Sequence, residues 1–126
     1  MRLEFLFPEA CIACPRPRGK RGQRAYYPDR YTEWRDRMQI ALMGACSEQT
    51  GRPRPLWDGD VRLEVTCHGA RKNADVDNLL KSVMDALQGI VVVDDKQVRQ
   101  AEVSSWSVDG MGKQTFVIVE LLAKGA

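Results

Sequence analysis

Residues 75–98 read Asp75-Val76-Asp77-Asn78-Leu79-Leu80-Lys81-Ser82-Val83-Met84-Asp85-Ala86-Leu87-Gln88-Gly89-Ile90-Val91-Val92-Val93-Asp94-Asp95-Lys96-Gln97-Val98. From Asp77 onward, Leu80, Val83, Met84 and Leu87 recur at the helical period and form one apolar face. Gly89 ends that helix. Asp77, Asn78, Lys81 and Asp85 fall on an adjoining polar face. Ile90 to Val93 is too short for a helix and rich in β-branched residues. It reads as a short buried strand or extended link that delivers the chain to Asp94 and Asp95.

Working outward, the preceding segment alternates cleanly. Val61, Leu63, Val65 and Cys67 are interleaved with Arg62, Glu64, Thr66 and His68. That is a half-buried strand with His68 on its outward phase. Leu3 to Phe7 predicts a first strand, stopped by Pro8. Asp29 can cap a helix over about 29–46, whose stripe is Tyr31, Trp34, Met38, Ala41, Leu42 and Ala45. Downstream, Val98 to Val108 reads as a strand, Asp109 to Gly112 as a hairpin loop, and Thr115 to Leu122 as a central or covered strand. The elements imply an α+β fold, a small mixed β-sheet of about four strands with two main helices.

A chain of 126 residues makes one domain, 1–126, and not two. Its 44% hydrophobic and 29% charged content is that of a globular protein and not a disordered one. No apolar run is long enough to span a membrane. The N-terminus does not read as a signal peptide, so the expected compartment is the cytoplasm. With four cysteines of which only Cys11 and Cys14 are closely spaced, reduced thiols are the preferred reading. Zinc would want a second close pair, although Cys67 and His68 could complete a set. Redox chemistry at Cys11 and Cys14 is disfavoured because Pro15 and Pro17 oppose the helix such a motif needs.

The net charge of +2 says little about partners, but its distribution says more. Arg16, Arg18, Lys20, Arg21 and Arg24 lie in a basic loop at about 9–27, expected to be mobile. Arg71 and Lys72 immediately precede the aspartates. Basic loops around an acidic centre suit a polyanion held against a metal site.

Asp75 or Asp77 alone could be a helix start, where a carboxylate satisfies free N–H groups. That does not account for Asp94 and Asp95, two adjacent charges after an apolar run. Carboxylates at the ends of different elements, with a lysine one turn away, suit Mg2+ and a phosphate. A metal-activated water could then cleave a phosphodiester, with Lys81 offsetting the growing charge. Asp85 could orient Lys81 as its (i, i+4) neighbour. An EF-hand starting at Asp75 fails, because Leu80 and Ala86 stand where Gly and Glu are required. A sugar-nucleotide site would need a larger domain.

These residues resemble the RusA-type Holliday junction resolvases of bacteria and prophages. The resemblance rests on Asp75-Val76-Asp77-Asn78-Leu79 with Lys81, on Asp85-Ala86-Leu87, and on Asp94-Asp95-Lys96-Gln97-Val98. It implies a homodimeric, Mg2+-dependent endonuclease, with Mn2+ as a substitute, that resolves four-way junction DNA by paired nicks. By that resemblance Asp75, Asp77 and Asp95 are metal-binding catalytic acids and Lys81 is the catalytic basic residue. Asn78, Asp85 and Asp94 support the site, and the basic loop with Arg71 and Lys72 contacts DNA. The Cys11–Cys14 pair is not part of the pattern. A non-catalytic junction-binding module with structural aspartates is the competing reading.

Overall fold

The computed structural model describes residues 1–15, 29–107 and 112–122. Its elements are β1 (Arg2–Phe7), α1 (Asp29–Thr50), β2 (Val61–His68), α2 (Val76–Leu87), a 3-10 turn (Asp95–Gln97), β3 (Val98–Trp106) and β4 (Gln114–Leu121). The four strands form one mixed sheet in the order β1-β4-β2-β3. β4 runs antiparallel to both β1 and β2, and β3 runs parallel to β2. This is the α+β architecture of two helices on a four-stranded mixed sheet.

Side-chain alternation explains how the layers form. Leu3, Phe5 and Phe7 on β1 register with Val119, Val117 and Thr115 on β4, and these with Leu63, Val65 and Cys67 on β2. All nine are buried, in rows facing α1 and α2. The other face carries Glu4, Glu64 and Glu102 beside a buried Ile118, with Arg62 bridging to Glu64 and Glu102 at 3.5 Å. α1 packs on β1 and α2, while α2 packs on β2 and β3. Trp34, fully buried, stacks on Tyr31 and meets the edge of Phe7; its indole donates to the Ala10 carbonyl at 3.1 Å.

Four expectations are corrected. The buried face of α2 is Leu79, Ser82, Val83, Ala86 and Leu87 and not Leu80, Val83, Met84 and Leu87, because the helix packs on α1 and the 9–15 segment as well as on the sheet. β3 and β4 are not a hairpin: β4 inserts between β1 and β2, so the chain after β3 must cross to a non-neighbouring position. Asp-Gly chemistry marks a reversal of the chain but does not choose the strand that pairs next. Residues 108–111 of that connection lie outside the described residues. Ile90–Val93 is not a strand either. Val92 makes isolated bridges to Trp57 and Gln88, and the segment is a turn in which Ile90, Val91 and Val92 are buried and Val93 is exposed. α1 also continues to Thr50, four residues beyond the expected end, and Thr50 closes it by donating its hydroxyl to the Cys46 carbonyl at 2.7 Å.

The loop expected at 9–27 begins as ordered structure. Cys14 N–H donates to the Asn78 carbonyl at 2.9 Å, Thr115 Oγ1 donates to the Glu9 carbonyl at 2.9 Å, and Arg37 grips the Glu9 carboxylate at 2.8 and 2.9 Å. Arg16, Arg18, Lys20, Arg21 and Arg24 lie outside the described residues.

Two glycines give opposite expectations. Gly89 sits just past α2 with φ 86° and nothing near its missing Cβ, so an alanine there meets only backbone strain. Gly44 lies exposed within α1, again with open space. Gly89→Ala is expected to lower stability by about 1 kcal/mol. Gly44→Ala is expected to raise it by roughly 0.5–1 kcal/mol. Urea-denaturation midpoints for the two variants check both signs.

Candidate active site

The β2–α2 connection builds the first half of the site. β2 ends at His68, Gly69 N–H bonds back to the Trp106 carbonyl at 3.0 Å, and the chain turns through Arg71 and Lys72 into α2. Asp75 occupies the N-cap position with extended backbone (φ −69°, ψ 134°), and its carbonyl accepts from Asn78 and Leu79 at 3.1 Å. Its carboxylate makes no capping hydrogen bond. A capping Asp normally spends that carboxylate on the N–H of the second or third helical residue. Here the group is exposed and left available.

Asp77 stands in the first turn of α2, exposed, with its Oδ1 accepting from the Asn78 N–H at 3.1 Å. Lys81 is exposed one turn later, and among the described residues it has no ion-pair partner. Asn78 is half-buried and ties α2 to the 9–15 segment through its carbonyl. Asp85 is engaged elsewhere. Its Oδ2 accepts from the Tyr31 hydroxyl at 2.8 Å and from Arg35 Nη1 at 3.0 Å. The expected role of orienting Lys81 is therefore taken from Asp85 by α1. Burial, then the bond to Asp85, pushes the Tyr31 hydroxyl far above its ordinary range, so it stays protonated as the donor.

The second pair sits at the other end of the helix. Asp94 caps the 3-10 turn: its carboxylate accepts from Lys96 N–H at 2.9 Å, while the Gln97 side chain reaches back to Val93 and Asp94 N–H at 2.9 Å. The Lys96 N–H holds the Asp94 carboxyl below the usual range. Gln97 also donates to the carbonyls of Trp57 and Gly59 at 2.6 and 2.8 Å, fastening the turn to the start of β2. Asp95 is half-buried, and its N–H donates to Gln88 Oε1 at 3.3 Å. The structural work of Gln97 was legible in principle, because Asp94 and Gln97 have capping-box spacing. Tyr31 and Arg35 carried no such local signal, since they act across 50 or more residues of sequence.

Asp75, Asp77 and Lys81 are thus brought together, and so are Asp94 and Asp95, but the two groups lie apart. From Asp77 in its first turn to its end at Leu87, α2 advances about 15 Å at 1.5 Å per residue, whereas Mg2+ holds its oxygen ligands at about 2.1 Å. Among the described residues no group of three or more His, Cys, Asp or Glu is arranged to hold a metal ion. Each half nevertheless offers hard carboxylate oxygens of the kind a divalent cation takes.

A groove of about 870 Å3 runs beside the first half, with Arg30, Arg71 and Lys113 among its lining residues. Arg71 and Lys72 are both exposed. The cysteines are all buried, free thiols. Cys11 Sγ lies 3.2 Å from Ser82 Oγ; its contact with Cys67, and then burial, push its thiol well above the ordinary range. Burial raises Cys46 to about 11.

A family model described as Endodeoxyribonuclease RusA matches residues 8–120. No curated protein matches the chain. Among the described residues no helix is long and apolar enough to cross a membrane.

Asp85→Ala is expected to cost roughly 1–3 kcal/mol, because it leaves the Tyr31 hydroxyl without its acceptor and Arg35 without its partner. Asp85→Asn retains an acceptor oxygen and should cost less. Chemical denaturation of both variants measures the difference.

Proposed function

The chain belongs to the RusA endodeoxyribonuclease family, and on that premise we propose that it resolves four-way junction DNA by paired, symmetric, Mg2+-dependent nicks. The family hydrolyses phosphodiester bonds at Holliday junctions. The observation that carries the site assignment is the Asp75 carboxylate, placed at the helix start but not spent on the cap. With Asp77 and Lys81 it forms an exposed half-site whose neighbours are Arg71 and Lys72.

In this reading Asp75, Asp77 and Asp95 hold the cation, with Mn2+ as a substitute. When bound, the metal supplies a Lewis acid and lowers the pKa of its water. Lys81 places a positive charge where negative charge grows on the phosphate oxygens. Asp94 and Gln97 fix the turn that presents Asp95. Arg71 and Lys72 hold the DNA backbone by neutralising phosphates, a contact that positions DNA without reading its sequence. Arg16, Arg18, Lys20, Arg21 and Arg24 extend that basic surface.

The length of α2 adds a condition. With Asp75 and Asp77 at the start of α2 and Asp95 beyond its end, a second copy of the chain supplies Asp95 to the cation in this reading. A homodimer also matches the two-fold symmetry of a junction, with one site for each of two opposed strands. The protein acts in recombination and repair in the cytoplasm.

Incubation with a four-way junction should give symmetric nicks with Mg2+ and none without it. Asp77→Asn should abolish nicking and leave junction binding intact. Lys81→Ala should slow cleavage roughly 10²–10³-fold. A wild-type chain that binds junctions but never nicks in any divalent metal is a binding module, and the proposal fails.

Mixing Asp77→Asn chains with Asp95→Asn chains tests the shared site. Each mixed dimer regains one complete site, so single nicks should return although neither variant cuts alone. Sites confined to one chain would stay silent in the mixture.

A further inference from the structure

The groove beside Asp75 is larger than a phosphate or a metal ion needs. It measures about 870 Å3 and is walled by the 8–15 segment, the first two turns of α1 and the loop between β2 and α2. Arg71 and Ala74 belong to its lining, and the residue after Ala74 is Asp75. The groove therefore adjoins the proposed cation site directly.

Its chemistry is divided. Ile12, Ala13, Ala70 and Ala74 are half-buried, so they give the cavity an apolar wall. Tyr31 and Trp34 also line it, but at 1% and 0% exposure they back that wall and present no open ring face. Arg30, Arg71 and Lys113 are exposed at its border. Glu9 is an acid of the lining, but Arg37 grips it at 2.8 and 2.9 Å and holds its carboxyl below the usual range. That pair is neutral overall. Among the described residues, three cations then stand against Glu33 alone.

An apolar hollow with a cationic border rules out most occupants. A phosphate alone would leave the apolar wall uncovered. A duplex is too wide, because about 870 Å3 is the size of a small-molecule site, ~300–1,000 Å3. A single unpaired nucleotide matches both halves, since it carries a planar apolar base and an anionic phosphate. Single-stranded nucleic acid is commonly held this way, by base contacts within a positively charged groove. A junction supplies such a nucleotide readily. Its strands exchange partners at the crossover, and a base costs least to extrude where its pairing is already broken.

We propose that this groove is a nucleotide subsite, which takes one unpaired nucleotide of the cleaved strand, next to the phosphate that is cut. The base lies against Ile12, Ala13 and Ala70, and Arg30, Arg71 and Lys113 hold the flanking phosphates. The inference rests on the junction-cutting reading above and adds where the strand runs beside the cation site. Seating the nucleotide fixes the register of the strand, so that the next phosphate reaches Asp75 and Asp77. It also favours a crossover over an intact duplex, in which every base is paired.

Two measurements on the full-length chain test it. Junctions carrying 2-aminopurine at either nucleotide flanking the cleaved bond report extrusion, because this base analogue brightens on leaving the stack. Without Mg2+, so that the strand stays intact, binding should raise the emission several-fold at one of the two positions. Ala13→Trp, which fills the groove, should abolish the rise. Removing the base at that same position should slow wild-type nicking roughly 10-fold, the scale of one lost base contact. Ala13→Trp should already nick slowly and lose nothing further on the abasic junction. Ile12→Ala, which trims the wall without filling the groove, should show a reduced abasic penalty, and it serves if Ala13→Trp lacks a native circular dichroism spectrum. No rise at either position, or an abasic penalty that the folded variants suffer in full, would overturn the subsite. The junction-cutting reading survives that result if the wild type still nicks with Mg2+. A chain that neither binds nor nicks junctions would overturn both.

Discussion

The parallel pairing of β2 with β3 is the constraint on which the rest depends. Parallel neighbours cannot be joined by a tight turn, so the chain between them must cross over, and α2 is that crossover. A crossover helix runs against its strands. Its start therefore lies at the C-terminal end of β2 and its finish near the beginning of β3. Asp75 and Asp77 belong to the first place and Asp94 and Asp95 to the second. Proximity in sequence, twenty residues, hides a separation set by the full length of a helix.

Much of the fold is legible because it is encoded locally. The alternation of Val61 to His68 matches the buried and half-buried positions of β2 residue by residue. The stop of α2 just before Gly89 is also where glycine punctuation puts it, but the buried face of α2 is turned from the expected stripe, with Leu79 and Ala86 inside and Leu80 and Met84 only partly covered. What escapes is non-local. Asp-Gly chemistry near residue 109 signals a turn, but the partner of β4 is chosen by competition among edges, and β4 is apolar enough to take the covered central place. The same holds for Asp85. Its helical neighbour Lys81 is a weak partner in water, whereas Tyr31 and Arg35 on α1 offer a partly buried hydroxyl and a guanidinium.

The carboxylates of the aspartate motif separate by what they bond. Asp94 has a structural reason for its place, the cap of the 3-10 turn, and Asp77 touches its own neighbour's N–H. Asp75 sits where a cap would be and does not cap. A capping bond is typically worth about 1 kcal/mol. Asp75 leaves that contribution unused, which supports its proposed role as a cation ligand. The helix still starts because Arg71 closes the preceding turn onto Ala74 and because Cys14 holds Asn78 from the side. The 9–15 segment is thus part of the site's foundation, and Cys11 and Cys14 lie in it as buried thiols within the core.

In the proposed shared site, two-fold symmetry converts the long separation from an obstacle into a device. In an isologous pair every contact occurs twice, so one copy's Asp95 meeting the other's Asp75 and Asp77 implies a second, identical meeting. In the proposed dimer the two sites stand about one helix length apart, because α2 spans the distance in each copy. In that proposal neither site is complete without the other, so the monomer lacks a full cation site and cutting is conditional on assembly. That is the property a resolvase needs, since an isolated nick in a junction breaks one strand and leaves the crossing unresolved.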